Sequence, residues 1–177
     1  MTLQEKIESS IRDIPNFPRA GILFKDLTPL LLMPDLCDEM LSCIFNKFKT
    51  HKIDAVAGIE SRGFLWGTLL AQKLKAPFIM VRKHGKLPAD TYIQSYTLEY
   101  GQATIEIHKD SITPNMKVLI HDDLLASGGT ATAAAQLIQQ ANGLVIGFSF
   151  IVELLYLKGR DKLYAYSENI DALIKYS

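Results

Sequence analysis

The chain has 177 residues, of which 48% are hydrophobic and 21% are charged. This length favours one domain, and the apolar content is that of a folded protein with its own core rather than of a disordered chain. The 19 basic residues are balanced by 19 acidic ones. A dedicated nucleic-acid binder or a polybasic membrane binder usually carries a basic excess, so we expect neither kind of partner.

Cysteine usage and hydropathy indicate the compartment. Cys37 and Cys43 stand on different faces of a predicted helix, which disfavours a local disulfide or a metal pair. The longest apolar run, GLVIGFSFIV at 143–152, has about half the length of a membrane-spanning helix. The N-terminal MTLQEKIESSIRD lacks the apolar stretch of a signal peptide. Together these features predict a cytoplasmic protein with reduced thiols.

The predicted elements begin with helices and then alternate between strands and helices. Leu3, Ile7 and Ile11 recur at helical spacing, and a second helix is predicted to begin at Pro34. Between them the segment FPRAGILFKDLTPLL at 17–31 is predicted to be a loop, since prolines and a glycine interrupt the pattern. Further elements are predicted as strands at 53–59, 77–82, 104–107, 117–121 and 144–152, and helices at 63–74 and from the Gly-rich turn to about residue 141.

Residues 83–101 are polar and rich in Gly, Pro and Tyr, which predicts a long mobile loop of the kind that usually has a function. The alternation of short apolar runs with helices predicts a mostly parallel sheet with helices on both faces. Ligands of such sheets bind beyond the carboxyl ends of the strands. We therefore expect the functional motifs at strand-to-helix turns.

The most informative stretch is VLIHDDLLASGGTATAA at 118–134. It combines an apolar strand, the acidic pair Asp122 and Asp123, and a small-residue turn, Ala126 to Thr130, that opens a helix. Glycines let backbone N–H groups converge on an anion at a helix N-terminus, and the hydroxyls of Ser127, Thr130 and Thr132 add donors. Adjacent carboxylates repel a phosphate but suit the vicinal hydroxyls of a ribose, or a divalent cation bound to them. The stretch predicts a ribose 5-phosphate site.

This stretch resembles the phosphoribosyl pyrophosphate (PRPP) motif of the type I phosphoribosyltransferases. Six blocks, in order, are similar to those of the adenine-specific members of that family: FPRAGILFKDLTPLL, GIESRGFLWG, VRKHGKLP, SYTLEYG, HDDLLASGGT and VELLYLKGRDKL. The resemblance implies the α/β fold of that family, with a mostly parallel central sheet flanked by helices. It further implies one domain over 1–177, a small N-terminal hood at 1–33 that recognises the base, and a flexible catalytic loop at 83–101.

The resemblance implies purine salvage: adenine and PRPP would give AMP and pyrophosphate. Mg²⁺ would be carried by PRPP rather than by direct protein ligands, and the enzyme would be a homodimer. The ribose and 5-phosphate would be bound by Asp122, Asp123, Ala126, Ser127, Gly128, Gly129 and Thr130. Pyrophosphate would be bound by Arg62, Lys83 and Lys86, and a cis Glu60–Ser61 peptide is left open. Phe24 would stack on adenine while the backbones of Leu23 and Lys25 read its edge.

Glu99 in the block SYTLEYG is the candidate general acid/base. A carboxylate on a closing loop can take the proton from the imidazole ring of the purine as the new bond forms. The 6-oxopurine relatives carry an acidic residue where this chain has Ala126, which leaves that proton transfer to Glu99. His121 replaces a usual aliphatic residue and is either a histidine satisfied at the strand end or a local pH-sensitive feature.

Two other functions remain open from the sequence. A PRPP-sensing regulator could keep the fold and bind nucleic acid without catalysis, and it would show a basic face or a DNA-binding appendage. A transferase for another base, such as a 6-oxopurine, would turn over hypoxanthine as well as adenine. Opposite donor and acceptor patterns on the two bases would leave buried groups unpaired, so discrimination could reach roughly 10⁴-fold.

Overall fold

A computed structural model describes residues 1–97 and 101–177. They divide into two compact units, Met1–Cys43 and Ile44–Ser177. The first unit begins with α1 (Leu3–Ser10), which confirms the first predicted helix. Thr2 and Glu5 form a capping box, in which each side chain accepts a hydrogen bond from the backbone amide of the other.

A short hairpin follows where the sequence predicts a loop. Strands β1 (Arg12–Pro15) and β2 (Leu23–Asp26) pair in antiparallel register, so the loop predicted over 17–31 was wrong for the residues of β2. An ion pair of 2.7 Å between Lys25 Nζ and Asp13 Oδ1 joins the two strands. Strands of this length are too short to show the two-residue alternation that identifies a strand in a sequence.

The first unit ends within the next helix. A 3₁₀ turn over Thr28–Leu32 leads into α2 (Pro34–Phe48), which confirms the second predicted helix. The boundary at Cys43 lies inside α2, so the compact N-terminal unit extends beyond the predicted hood at 1–33.

The second unit is built on one sheet. Within the described residues its strands are β3 (Ala55–Ile59), β4 (Phe78–Lys83), β5 (Thr91–Thr97), β6 (Gln102–His108), β7 (Lys117–Leu125), β8 (Leu144–Leu154) and β9 (Ile170–Tyr176). Their spatial order is β5-β6-β4-β3-β7-β8-β9. Neighbouring strands are parallel except that β6 is antiparallel to both β4 and β5. The helices are α3 (Arg62–Leu74), α4 (Gly129–Gln140) and α5 (Gly159–Leu163).

The topology fixes where a ligand can bind. From β3 the chain crosses to β4 in one direction, and from β7 it crosses to β8 in the other. Because such crossovers are right-handed, α3 and α4 cover opposite faces of the sheet. The order therefore reverses between β3 and β7, and open sheets of this kind bind ligands in the crevice beyond the carboxyl ends of the strands at that point. The mostly parallel sheet with helices on both faces is confirmed.

The core lies between the sheet and its helices, and most of its side chains are small or branched, with Phe148 and Phe150 among them. Members of the cluster on β7 and α4 include Val118, Ile120, Ala133, Ala134, Leu137 and Ile138. Alternate residues of β7 face the other layer, where a Cβ at Gly67 of α3 would lie 3.3 Å from Cδ2 of His121. None of the helices within residues 1–97 and 101–177 has the length and apolar content needed to cross a bilayer.

Two parts of the second unit differ from prediction. The loop expected over 83–101 contains β5, which pairs with β6 from Thr91 to Thr97. Its polar composition is that of an edge strand with a solvated face, which composition alone does not separate from a loop. β7 continues past its predicted end at His121, so the acidic pair belongs to the strand. Elements after Leu154 were not predicted.

Candidate active site at the carboxyl ends of the strands

The carboxyl ends of β3 and β7 meet at the crevice. Arg62 is the first residue of α3, directly after β3, and Asp122 and Asp123 lie near the end of β7. The Nε atom of Arg62 is 2.8 Å from Oδ2 of Asp123. The structure thus brings together three of the predicted site residues from segments sixty residues apart in the chain. The Glu60–Ser61 peptide beside them is cis.

The two aspartates have an unusual electrostatic environment. Burial raises the pKa of Asp122 well above its ordinary value, and the neighbouring charge of Asp123 raises it further. Burial also raises the pKa of Asp123, although Arg62 opposes the shift. One oxygen of Asp122 accepts a hydrogen bond of 2.9 Å from the Asp123 amide. Such a pair gains from a ligand that donates hydroxyl protons or brings positive charge, because either favours the ionised carboxylates.

The small-residue turn forms a cavity of about 70 Å³. The cavity is lined by Asp122, Leu124, Leu125, Ala126, Ser127, Gly128, Gly129, Thr130 and Ala131. Gly128 has φ of +78°, and α4 begins at the next residue. The free amides of the first helical turn and the positive end of the helix dipole therefore lie at the cavity, an arrangement that suits an anion. The Thr132 hydroxyl is buried without a partner among the described residues and does not line it.

The C-terminal block VELLYLKGRDKL packs against this turn through Gly159. A side chain at Gly159 would overlap the carbonyl oxygen of Ala126, and its Cβ would lie 2.9 Å from the Gly128 nitrogen. The next residue, Arg160, binds both carboxylate oxygens of Glu153 at 2.9 and 2.5 Å and the Ile170 carbonyl at 2.8 Å. These bonds join α5 to the last residues of β8 and to the first residue of β9, and so fix Gly159 against the turn from Ala126 to Thr130, which we call the cradle.

Lys83 is the last residue of β4 and Lys86 lies in the turn that follows; both are exposed, and a glutamate binds the start of this turn. Oε2 of Glu60 accepts hydrogen bonds from the Lys83 amide at 3.0 Å and from Arg82 Nε at 3.1 Å. Burial would raise the pKa of Glu60, but the bonds from Arg82 and Lys83 outweigh it and keep the pKa below its ordinary value. Arg82, the other cation next to the turn, is thus bound to a carboxylate.

Glu106 holds the rest of the turn. Its side chain is 2% exposed, and one oxygen accepts the amides of Lys86 and Leu87, each at 3.0 Å. The other oxygen is 2.9 Å from His84 Nδ1. Burial raises its pKa, but the hydrogen bonds, led by that from Leu87, lower it below the ordinary value. The sequence analysis missed Glu60 and Glu106, since an isolated glutamate gives no signal of a partner twenty residues away.

The remaining predicted residues lie either in the first unit or outside the described residues. Leu23, Phe24 and Lys25 lie on β2 in the first unit, where the Phe24 ring meets Phe17 edge to face at 5.1 Å between centroids. Glu99 lies outside the described residues, which end at Thr97 and resume at Gly101. The roles assigned to all of these residues stay predictions.

His121 is fully buried on β7, one residue before the acidic pair. Its Nδ1 is 3.3 Å from Ser149 Oγ, while Nε2 has no partner among the described residues. Burial lowers the pKa of His121 to about 4, with a hydrogen bond to the backbone of Ser149 opposing the shift. The ring is therefore neutral in the folded protein near neutral pH.

Acid should destabilise the protein through this histidine. The unfolded chain takes up the proton below the ordinary pKa of 6.5, whereas the folded chain resists it until about pH 4. The contribution is complete above pH 6.5 and is lost as the pH falls between these values. We expect His121→Leu to remove about 2 kcal/mol of the stability difference between pH 7.5 and pH 5, measured by urea unfolding. Unchanged pH dependence in His121→Leu would contradict this origin.

Known proteins resemble the chain over nearly its whole length. The model of the phosphoribosyl transferase domain matches residues 25–171. An adenine phosphoribosyltransferase of Cytophaga hutchinsonii is 48% identical over 174 residues, which cover 98% of this chain and 96% of that protein. The crystal structure of the adenine phosphoribosyltransferase of Thermoanaerobacter pseudethanolicus is 44% identical, covers 99% of this chain and 100% of its own, and superposes with a TM-score of 0.94.

One of the similar solved structures is a complex with ligands. The adenine phosphoribosyltransferase of Saccharomyces cerevisiae, complexed with an imino-altritol bisphosphate and adenine, is 37% identical with a TM-score of 0.90 and covers 97% of this chain and 98% of its own. Both the sequence and the fold of this chain are similar to those of these enzymes over nearly its whole length. The protein belongs to the adenine phosphoribosyltransferases, type I phosphoribosyltransferases that convert adenine and PRPP into AMP and pyrophosphate.

Proposed function

We propose that the crevice between β3 and β7 is the active site, with Asp122 and Asp123 on the ribose hydroxyls and Ala126 to Thr130 around the 5-phosphate. The observation that carries this proposal is the continuity of the acidic pair with the cavity, since Asp122 lines it together with the turn. A 5-phosphate at the α4 N-terminus would leave the ribose hydroxyls next to these carboxylates. The N-terminus of α4 would complement the negative charge of the phosphate, and the carboxylates would accept hydrogen bonds from the ribose hydroxyls.

Pyrophosphate would bind to Arg62, Lys83 and Lys86. The backbone anchors at Glu60 and Glu106 support this assignment, because they hold the turn while the lysine side chains stay exposed. Positive groups held in place before the reaction stabilise the charge that develops on the leaving group, which is usually the largest catalytic term. Arg62 would also link the two halves of PRPP, because its Nε already contacts Asp123.

Mg²⁺ would arrive with PRPP. No three His, Cys, Asp or Glu side chains of the described residues are grouped so as to hold a metal by themselves, whereas two adjacent carboxylates suit an ion already bound to substrate oxygens. When bound, the ion would neutralise charge on the pyrophosphate. The residues that would face it are Asp122 and Asp123, and Arg62 limits their negative charge.

Glu99 would act as general acid/base on the purine ring nitrogen. Thr97, two residues before Glu99 in the sequence, supports this, because its carbonyl oxygen would lie 3.6 Å from a Cβ at Gly129. We expect Glu99→Leu to lower kcat by about 100-fold, within the range for a positioned proton-transfer group, while PRPP affinity is kept. Steady-state kinetics with separate PRPP binding would check this against the exposed control Glu168→Leu. An unchanged kcat would remove Glu99 from the mechanism.

Base selection would fall to β2, where Phe24 would stack on adenine and the backbones of Leu23 and Lys25 would read its edge. The yeast relative's complex with adenine supports adenine as the base. The test of the function is conversion of labelled adenine to AMP with PRPP and Mg²⁺, beside hypoxanthine, guanine and no base. Turnover of adenine alone is expected. Equal turnover of hypoxanthine would favour a 6-oxopurine transferase, and PRPP binding without turnover would favour a PRPP-sensing regulator.

The proposal also includes a homodimeric assembly and a cytoplasmic location. Leu65 and Leu69, one turn apart on α3, are each more than 40% exposed, which supports a homodimer that covers this face. Sedimentation of the protein and of Leu65→Lys would test it, with the variant expected to be a monomer. Cys37 and Cys43 are both free thiols, in keeping with the reducing cytoplasm.

A further inference from the structure

The phosphate cradle makes one contact that the reaction scheme does not explain. The hydroxyl of Thr130 donates a hydrogen bond of 3.0 Å to the hydroxyl oxygen of Tyr96. Tyr96 lies near the end of β5, on the far edge of the sheet from β9. A Cβ at Gly129 would stand 3.4 Å from Cδ2 of Tyr96, so the ring also packs on the first turn of α4. The end of the edge strand β5 therefore contacts the cradle through both the hydroxyl and the ring of Tyr96.

A bound phosphate would change the direction of this hydrogen bond. Each hydroxyl has one proton to donate and lone pairs to accept, and Thr130 now gives its proton to Tyr96. Phosphate oxygens only accept, so with a 5-phosphate present Thr130 would donate to the phosphate and accept the proton of Tyr96 instead. The chain from Tyr96 through Thr130 to the phosphate ends on an anion, and each bond in such a chain strengthens the next.

We infer that Tyr96 is a positioning residue whose hydroxyl couples the phosphate cradle to the end of β5. The 5-phosphate strengthens the bond between Tyr96 and Thr130 and holds the end of β5 on α4, and by reciprocity the same bond raises the affinity for the phosphate. This inference rests on the proposed role of Thr130 in the cradle. It adds a link between phosphate binding and the strand that leads to Glu99.

The same strand offers a matched control. Side chains on a strand alternate between faces, so Tyr92 lies on the same face of β5 as Tyr96. The Tyr92 ring lies 5.8 Å from the Lys109 ammonium, away from the cradle. β5 keeps its register with β6 from Thr91 to Thr97, so removal of one hydroxyl leaves the strand in place. Tyr92→Phe and Tyr96→Phe thus remove the same group from one strand, with and without the contact to Thr130.

The test measures binding of ribose 5-phosphate by calorimetry, together with kcat and KM for PRPP. Tyr96→Phe should weaken ribose 5-phosphate binding and raise the KM for PRPP by about 5-fold, as for the loss of one hydrogen bond. Thr130→Ala should weaken both more strongly. The double variant should be no weaker than Thr130→Ala alone, because the bond is already absent there. Tyr92→Phe should match the unaltered protein in both measurements.

The outcomes separate this inference from the proposed function. Weakened binding in Thr130→Ala with unaltered binding in Tyr96→Phe would overturn the coupling and leave the cradle assignment intact. Additive effects of the two changes would also overturn it, since they would show that Tyr96 acts apart from Thr130. Unaltered binding in Thr130→Ala would overturn the assignment of Thr130 to the cradle, and the coupling with it.

Discussion

Replacement of Gly159 by alanine is expected to weaken PRPP binding by about 100-fold. The added Cβ would overlap the carbonyl oxygen of Ala126, and backbone atoms cannot move aside by changing rotamer. The cradle turn must therefore shift, and a misplacement of about 1 Å in a binding group costs on the order of 100-fold. Calorimetric titration with PRPP and with ribose 5-phosphate would measure the loss.

Two further measurements would show that this loss is local. Lys162→Ala, at an exposed position of the same helix, should bind PRPP like the unaltered protein. Circular dichroism should show that Gly159→Ala is folded at the temperature of the titration. A folded Gly159→Ala protein with full affinity would mean that α5 does not determine the shape of the cradle.

The combined change Asp122→Asn and Asp123→Asn should weaken PRPP binding by about 100-fold or more. Each carboxylate would accept a charge-assisted hydrogen bond from the ribose, and such bonds contribute about 1.5–3 kcal/mol each. The change also removes the carboxylate that Nε of Arg62 contacts at 2.8 Å. The measurement is PRPP affinity by calorimetry, with Mg²⁺ held constant.

The matched control is Asp161→Asn, an exposed position on α5 where affinity should not change. Ribose 5-phosphate and inorganic phosphate would serve as probes of the two halves of the site. The double variant should lose affinity for ribose 5-phosphate while keeping that for phosphate alone. Equal affinity for ribose 5-phosphate before and after the change would refute the assignment of the aspartates to the ribose.

The sequence predicted the parts of the fold that depend on local pattern. The strand at Ala55–Ile59 and the helix at Arg62–Leu74 lie within a few residues of their predicted bounds, because an apolar run and a helical period each stand out in a few residues. The placement of Asp122 and Asp123 beside the small-residue turn that opens α4 followed from their order in the chain. For β5 the same reasoning failed, since a solvated edge strand has the composition of a loop.

Contacts between distant segments could not be predicted in this way. Glu106 and the amides of Lys86 and Leu87 come together only because β6 pairs with β4 and β5. The support of the cradle by Gly159 depends on the contacts of Arg160 with Glu153 near the end of β8 and with Ile170 at the start of β9. One glycine and one arginine in a C-terminal block carry no sign of this, although the block VELLYLKGRDKL marked the region as similar to the family.

The turn between Lys83 and Lys86 is also expected to affect the rate at which PRPP binds. Glu60 and Glu106 hold the backbone of the turn, while Lys83 and Lys86 remain exposed to solvent. Exposed charges act on an approaching polyanion over about a Debye length and are screened by salt. In the proposed site they would raise the rate of encounter, whereas the cradle would set the rate of escape. Added salt should slow the capture of PRPP far more than it hastens its release.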